Sequence, residues 1–323
     1  MKSTNLYQKA NPDLWKGREC DPSLGTQYWY QGVDQIDLGC DDLNNLDVAI
    51  IGYSCDEGVR RNQGRVGAVD GPDAIRKRLA KLAWHHGDKR ITDVGSIICE
   101  GENLEDCQKA FAATITEILK QDTFLIALGG GHDIAYAHFC GIYEWIKQKE
   151  GTSNIGIINF DAHFDLRPPI ESANSGTPFF QILNELNRGL CNISYLPIGI
   201  QTRSNTSQLF DIANSFGVEW VSLEQCESDF EKVLQGVNQF IKKLDYLYVT
   251  IDLDGFSSAY SLGVSASSPF GLTPMIVNKV LESICSSGKL IAMDVAEMNP
   301  KYDKDELSAK LAAGIIDLIV GQI

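Results

Sequence analysis

Short apolar runs recur along the chain, each closed by Gly, Asp or Asn and separated from the next by a stretch long enough for a helix. They are "LDVAIIGYS" (46–54), "ITDVGSII" (91–98), "TFLIALGGG" (123–131) and "NIGIINFDA" (154–162), followed by "ISYLPIGIQ" (193–201), "VEWVSL" (218–223), "YLYVTIDLD" (246–254) and "LIAMDVAEM" (290–298). Near-continuous apolar runs of this length are expected of strands covered on both faces. The segments between them carry helical periodicity, as in 71–84, where Pro72 suits a first helical turn, in 104–121 and in 228–244. Alternating strand and helix predicts a three-layer α/β/α fold around a mostly parallel central sheet of about eight strands. No low-complexity linker or internal repeat interrupts the pattern, so residues 1–323 are expected to form a single domain. The irregular stretch 168–178 reads as an active-site loop.

In open sheets of this kind, ligands bind beyond the carboxyl ends of the strands, and four of the predicted strands end in polar clusters. The 123–131 run delivers His132 after three glycines. The 154–162 run delivers Asp161, His163 and Asp165, spaced two apart. The 246–254 run delivers Asp252 and Asp254, and the 290–298 run delivers Asp294 and Glu297. On an extended backbone alternate side chains share a face, so Asp161, His163 and Asp165 are expected to converge on one point. Buried there without compensation they would be unfavourable; a cation resolves this. The first three clusters hold two His and four Asp, six candidate ligands, and four carboxylates balance two divalent cations sharing a bridging hydroxide. Oxygen-rich ligation without thiolate favours Mn²⁺.

Bulk properties narrow the partners. A formal net charge of −15 opposes binding to nucleic acid or to an anionic membrane. Nine scattered cysteines without a C-x-x-C pair fit reduced thiols in a cytoplasmic protein. No stretch approaches the length of a membrane span, and the first twenty residues lack a signal-peptide core.

The blocks "GGGHD" (129–133), "NFDAHFDLR" (159–167), "TIDLDGF" (250–256) with "GVSASSPFGLTP" (263–274), and "DVAEMNP" (294–300) resemble the ureohydrolase family of arginases, agmatinases and formimidoylglutamases, in that family's order. The resemblance implies an arginase-like fold, a dinuclear manganese centre with two Mn²⁺ per subunit, and hydrolysis of a C–N bond in an amidine or guanidine. It assigns His132, Asp161, His163, Asp165, Asp252 and Asp254 as the metal ligands. It assigns Glu297 to the cationic amidine or guanidine, and it implies a homo-oligomer.

Within the family, "LWKGREC" (14–20), "GVRRNQGRVGAVDGPDAIR" (58–76), "NSGTPFFQI" (174–182) and "GIQTRSNTSQLF" (199–210) most resemble formimidoylglutamases, whose implied substrate is N-formimidoyl-L-glutamate. Where arginases and agmatinases carry a His, this chain has Ser175. A proton shuttle at that position is therefore not available, which weakens the urea-releasing alternative. "DLDGF" also departs from many relatives at Gly255, expected to be a local packing variation. A non-catalytic metal-binding scaffold is the alternative of another class. Asp165 is the candidate proton relay. The two carboxylates of a glutamyl substrate call for cationic partners: Arg167, two residues after Asp165, then Arg203 with Asn205, and Arg60, Arg61 and Arg65. His85 and His86 are expected at a surface helix end, His138 in the core or supporting the site, and Arg76–Lys77–Arg78 on a solvated helix face. Asp294 is expected to support rather than react.

Overall fold

The computed structural model describes residues 6–41, 43–149, 151–187 and 191–323. Its centre is a ten-stranded sheet of β1 (Tyr7–Gln8), β2 (Val33–Gln35), β3 (Val48–Ser54), β4 (Ile91–Ile98), β5 (Phe124–Gly129), β6 (Ser153–Phe160), β7 (Cys191–Ile200), β8 (Val221–Ser222), β9 (Tyr246–Asp252) and β10 (Leu290–Ala296). The order is β1-β4-β3-β5-β10-β9-β6-β7-β8, with β2 also pairing β4. Every pairing is parallel except β1 with β4.

Alternation along each strand divides the interior into two cores. From β3, Val48 and Ile50 face one side with the helices Gly71–Leu79, Pro274–Cys285 and Leu307–Val320. Ala49, Ile51 and Tyr53 face the other, with the helices Leu104–Leu119 and Ile134–Ile146. The helix Leu104–Leu119 starts at an Asn103 cap whose side chain accepts from the Asp106 amide. It then buries Leu104, Cys107, Phe111, Ile115 and Ile118 on one stripe. The layers are helix, sheet, helix, as the apolar pattern predicts.

Several expectations need correction. β1 and β2, of two and three residues, are too short to show an apolar run. The 218–223 run shrinks to two residues of strand. The 71–84 helix stops at Leu79 because the carbonyls of Ala80 and Leu82 turn to accept from the amides of Tyr30 (3.1 Å) and Trp29 (3.0 Å). The 228–244 helix is interrupted at Asp229 (φ −146°, ψ 60°), which divides Leu223–Ser228 from Phe230–Lys242. Arg76 is not solvated: it is 1% exposed and forks onto Asp93, with Nε–Oδ2 2.9 Å and Nη2–Oδ1 2.8 Å. Lys77 is exposed, as expected. His85 is exposed but His86 is buried, its Nε2 2.8 Å from Asp317 Oδ1.

Candidate metal centre

β5, β10, β9 and β6 lie side by side in the middle of the sheet. Parallel pairing places their carboxyl ends together, and the chain emerging from each supplies one part of the site. After β5, the Gly130 amide donates to Tyr53 O (3.0 Å) and its carbonyl accepts from the Glu297 amide (2.8 Å). A Cβ on Gly130 would stand 2.0 Å from Cys55 O, so only glycine allows this approach before His132.

The Asp161–His163–Asp165 stretch is not extended. β6 ends at Phe160, and Asp161 Oδ1 folds back to accept from the His163 amide at 2.7 Å. Asp165 takes φ 48°, in the left-handed region that few non-glycine residues occupy. Convergence is therefore produced by a turn rather than by strand alternation. Asn205 splints that turn: Oδ1 accepts from the Phe164 amide (3.0 Å), while Nδ2 donates to Ala162 O (2.9 Å) and Gln201 O (2.8 Å). Asp252 closes a similar turn after β9, accepting from the Asp254 amide at 2.7 Å. Gly255 lets the two turns touch, since a Cβ there would lie 2.8 Å from Asp161 Cα.

The six candidate ligands form two groups that share Asp161. His132 Nδ1 faces Asp165 Oδ2 (2.9 Å), Asp252 Oδ2 (3.0 Å) and Asp161 Oδ2 (3.3 Å). His163 Nδ1 is 3.3 Å from both Asp161 Oδ1 and Asp254 Oδ1. One ring nitrogen carries at most one proton, which cannot satisfy three carboxylates at once. A divalent cation can. Buried Asp254 Oδ1 and Glu297 Oε2 also lack a hydrogen-bond partner. His132 Nε2 is 3.0 Å from Thr250 Oγ1, which donates to Asp294 Oδ1. With the imidazole proton on Nε2, Nδ1 is free as a ligand. The donor set fits a pair of hard or borderline divalent cations.

Electrostatics agree. Burial pushes the Asp254 carboxyl up to about 6 and Asp252 well above its usual range, the latter reinforced by Asp254 and Asp161. Burial lowers the His132 and His163 pKa values, but the surrounding carboxylates outweigh it and leave both raised. Asp161 runs the other way: burial raises it, yet the two histidines hold it below the normal range. Burial, aided by Asp252, raises Glu297. Glu297 sits at φ 64°, with Oε1 accepting from the His132 amide at 2.9 Å. Below the ligands, Asp294 accepts from Tyr248 and Thr250 and lies 2.8 Å from His138 Nδ1, so both Asp294 and His138 are buried supports.

A cavity of about 320 Å³ opens over the cluster, within the range for small-molecule sites. Arg65, Arg167 and Ser175 line it, together with Asn62, Gln63 and Ser265, which the sequence did not single out. Arg167 donates to Asn62 Oδ1 at 2.7 Å, and Asn62 Nδ2 donates to Ser175 Oγ at 3.1 Å. Arg65 is held by the carbonyls of Val264 and Ser265 and lies 4.0 Å over the Tyr302 ring. The remaining candidates are placed elsewhere. Arg60 and Arg61 pair with Glu57, Arg61 also with Glu105, and Arg203 lies 4.2 Å over the Phe270 ring. None of these three, nor Asn205, is among the cavity-lining residues.

The family model for the arginase family matches residues 46–321. The chain belongs to the arginase family. It is 39% identical over 325 residues to a formimidoylglutamase of Clostridium tetani, covering 98% of this chain and 96% of that protein. It is 40% identical over 319 residues to a formimidoylglutamase of Aeromonas hydrophila, covering 97% and 99%. Among solved structures, a formimidoylglutamase from Bacillus subtilis superposes with a TM-score of 0.81 at 20% identity, covering 94% of this chain and 93% of that one. A Trypanosoma cruzi formiminoglutamase with Mn²⁺ gives 0.76 at 22% identity, covering 87% and 94%. This arginase-family enzyme thus shares its three-layer fold with both, and its His/Asp cluster is one that can hold metal.

Proposed function

We propose that the protein hydrolyses N-formimidoyl-L-glutamate to L-glutamate and formamide, using two Mn²⁺ per subunit held by His132, Asp161, His163, Asp165, Asp252 and Asp254. The observation that carries this reading is a cavity joining His132, His163, Asp165, Asp252 and Asp254 of the cluster at its floor to Arg65 and Arg167 at its wall. The names of the most similar relatives agree with it. When bound, such a metal pair lowers the pKa of coordinated water from 15.7 towards about 7, so that hydroxide is available at neutral pH.

The protein's own groups supply the rest. Glu297 Oε1 is tied to the His132 amide, leaving the partnerless Oε2 to accept from the amidine N–H groups and orient that end. Arg167, anchored by Asn62, and Arg65, anchored on the 264–265 backbone, offer guanidinium donors to the two carboxylates. Hydrolysis adds water across the central amidine carbon and breaks its bond to the glutamate α-nitrogen. Asp165, the most exposed carboxylate of the larger ligand group at 14%, carries the proton to that departing amine. Thr250 and Asp294 keep the His132 ring fixed throughout.

Nine free cysteines support a reducing, cytoplasmic setting. Among the described residues no helix is long and apolar enough to cross a membrane. The continuous sheet supports a single domain, and self-association into a homo-oligomer is the expected solution state, open to light scattering. The deciding experiment supplies manganese-reconstituted protein with formimidoylglutamate beside arginine, agmatine and guanidinobutyrate, and measures formamide and urea. Formamide from the first substrate alone supports the proposal. Urea from any of the others as the main product overturns it.

A further inference from the structure

Three cysteines distant in sequence meet outside the cavity. Ser54 of β3 pairs with Ile98 of β4 in parallel register, so Cys55 and Cys99 leave neighbouring strands side by side. The Cys99 amide donates to Ser54 O at 3.0 Å. Cys107 comes from the Leu104–Leu119 helix packed on the same face. All three sulfurs lie within 4.8 Å of one another; Cys55 and Cys107 are fully buried and Cys99 is partly exposed.

Thiolates are soft donors, unlike the carboxylates of the central cluster, and select thiophilic cations such as zinc or monovalent copper. Sulfurs bound at about 2.3 Å around one zinc ion stand roughly 4 Å apart. Each pair here therefore needs to close by less than about 1 Å. Charge chooses between the cations. Three thiolates around a monovalent ion leave two buried negative charges, while a divalent ion leaves one, and uncompensated buried charge is strongly unfavourable. Zinc prefers four ligands, and the half-open Cys99 side admits solvent as the fourth.

We propose that Cys55, Cys99 and Cys107 form a second metal site, a three-thiolate site for divalent zinc separate from the His/Asp cluster. Each thiol releases its proton to solvent as its sulfur takes the cation. The site adjoins the central cluster through a backbone contact. Cys55 O accepts from the Gly131 amide at 2.9 Å, one residue before His132.

The test is cobalt titration of reduced, manganese-loaded protein under anaerobic conditions, followed by ultraviolet absorption and metal analysis. The expected result is a thiolate-to-cobalt charge-transfer band that saturates at one Co²⁺ per chain and is bleached by zinc. Cobalt entering the His/Asp cluster gives no such band, because that cluster has no sulfur. Cys99→Ser, at the partly exposed position, should fold normally and keep turnover within about two-fold, yet weaken cobalt binding at least ten-fold. Cys107→Ser should do the same to the band. Absence of the band at excess cobalt, or its survival in both variants, overturns the proposal. The readout does not depend on substrate, so it is separate from the outcome of the turnover assay.

Discussion

Glu297 carries two oxygens with different duties. One fixes the His132 backbone and the other is buried without a partner, so replacing the carboxylate by an amide preserves shape while removing the charge a cationic amidine meets. A charge-assisted hydrogen bond is worth about 1.5–3 kcal/mol, and Glu297→Gln should lower kcat/KM roughly 10- to 100-fold with manganese content unchanged. Steady-state kinetics paired with metal analysis checks both halves. Arg167→Ala should raise KM about ten-fold or more, again with both metals retained. Arg60→Ala, altering a half-exposed guanidinium tied to Glu57, should stay within about two-fold. If Arg167→Ala keeps full catalytic efficiency, Arg167 leaves the recognition scheme.

At the scale of elements, two approaches between neighbours determine whether the site assembles. Gly255 lets the turn after β9 touch the turn after β6, so Gly255→Ala must displace Asp161, the candidate ligand common to both groups. Manganese affinity should fall by at least ten-fold while urea unfolding of the metal-free protein changes little; a loss confined to stability would assign Gly255 to packing alone. Arg76 joins its helix to β4 through Asp93, which also accepts from Trp15 Nε1. Removing one partner of a buried ion pair costs about 3–5 kcal/mol, and urea titration of Arg76→Ala should show that loss. These contacts also explain what could be read beforehand. The long central strands were legible because burial on both faces leaves continuous apolar runs, and the candidate ligands cluster where those runs end. Arg76 was not legible, since a basic triplet on a helix looks the same whether or not a distant Asp93 waits beneath it. The period-two spacing of Asp161, His163 and Asp165 pointed to residues that do meet, but through the wrong geometry, because a side-chain-to-amide turn brings them together. Thr250, and Asn159 whose Nδ2 donates to Asp161 Oδ2 at 3.0 Å, were missed, although each is a polar residue in a buried strand two positions before a candidate ligand. Asn62 and Ser265 carried no signal, because they act only through loops that meet in space.

For the whole molecule, metal and proton compete for the same groups. The Asp254 carboxyl is raised from 3.8 to about 6, so the stability gained from its protonation is complete below about 3.8 and lost as pH rises through 6. The raised His132 and His163 contribute fully below 6.5 and lose that contribution as pH climbs through their higher folded values. Protons thus stand in for cations in acid, and metal replaces them in base. Saturating manganese should therefore raise Tm more at pH 8 than at pH 5.5. Each ion at a hundredfold excess over its Kd supplies about 2.7 kcal/mol, read by thermal scans with and without chelator. An equal gain across that range would count against these carboxylates and imidazoles as the binding groups.

The wall and floor of the cavity have separate origins. The floor comes from the tips of four adjacent central strands, whereas Asn62 and Arg65, Arg167 and Ser175, and Ser265 arrive on three surface connections. Grafting those three connections from a relative with another preference should therefore exchange one small nitrogenous compound for another while the inorganic centre stays intact. Diversification in such a scaffold is a matter of rewriting its rim.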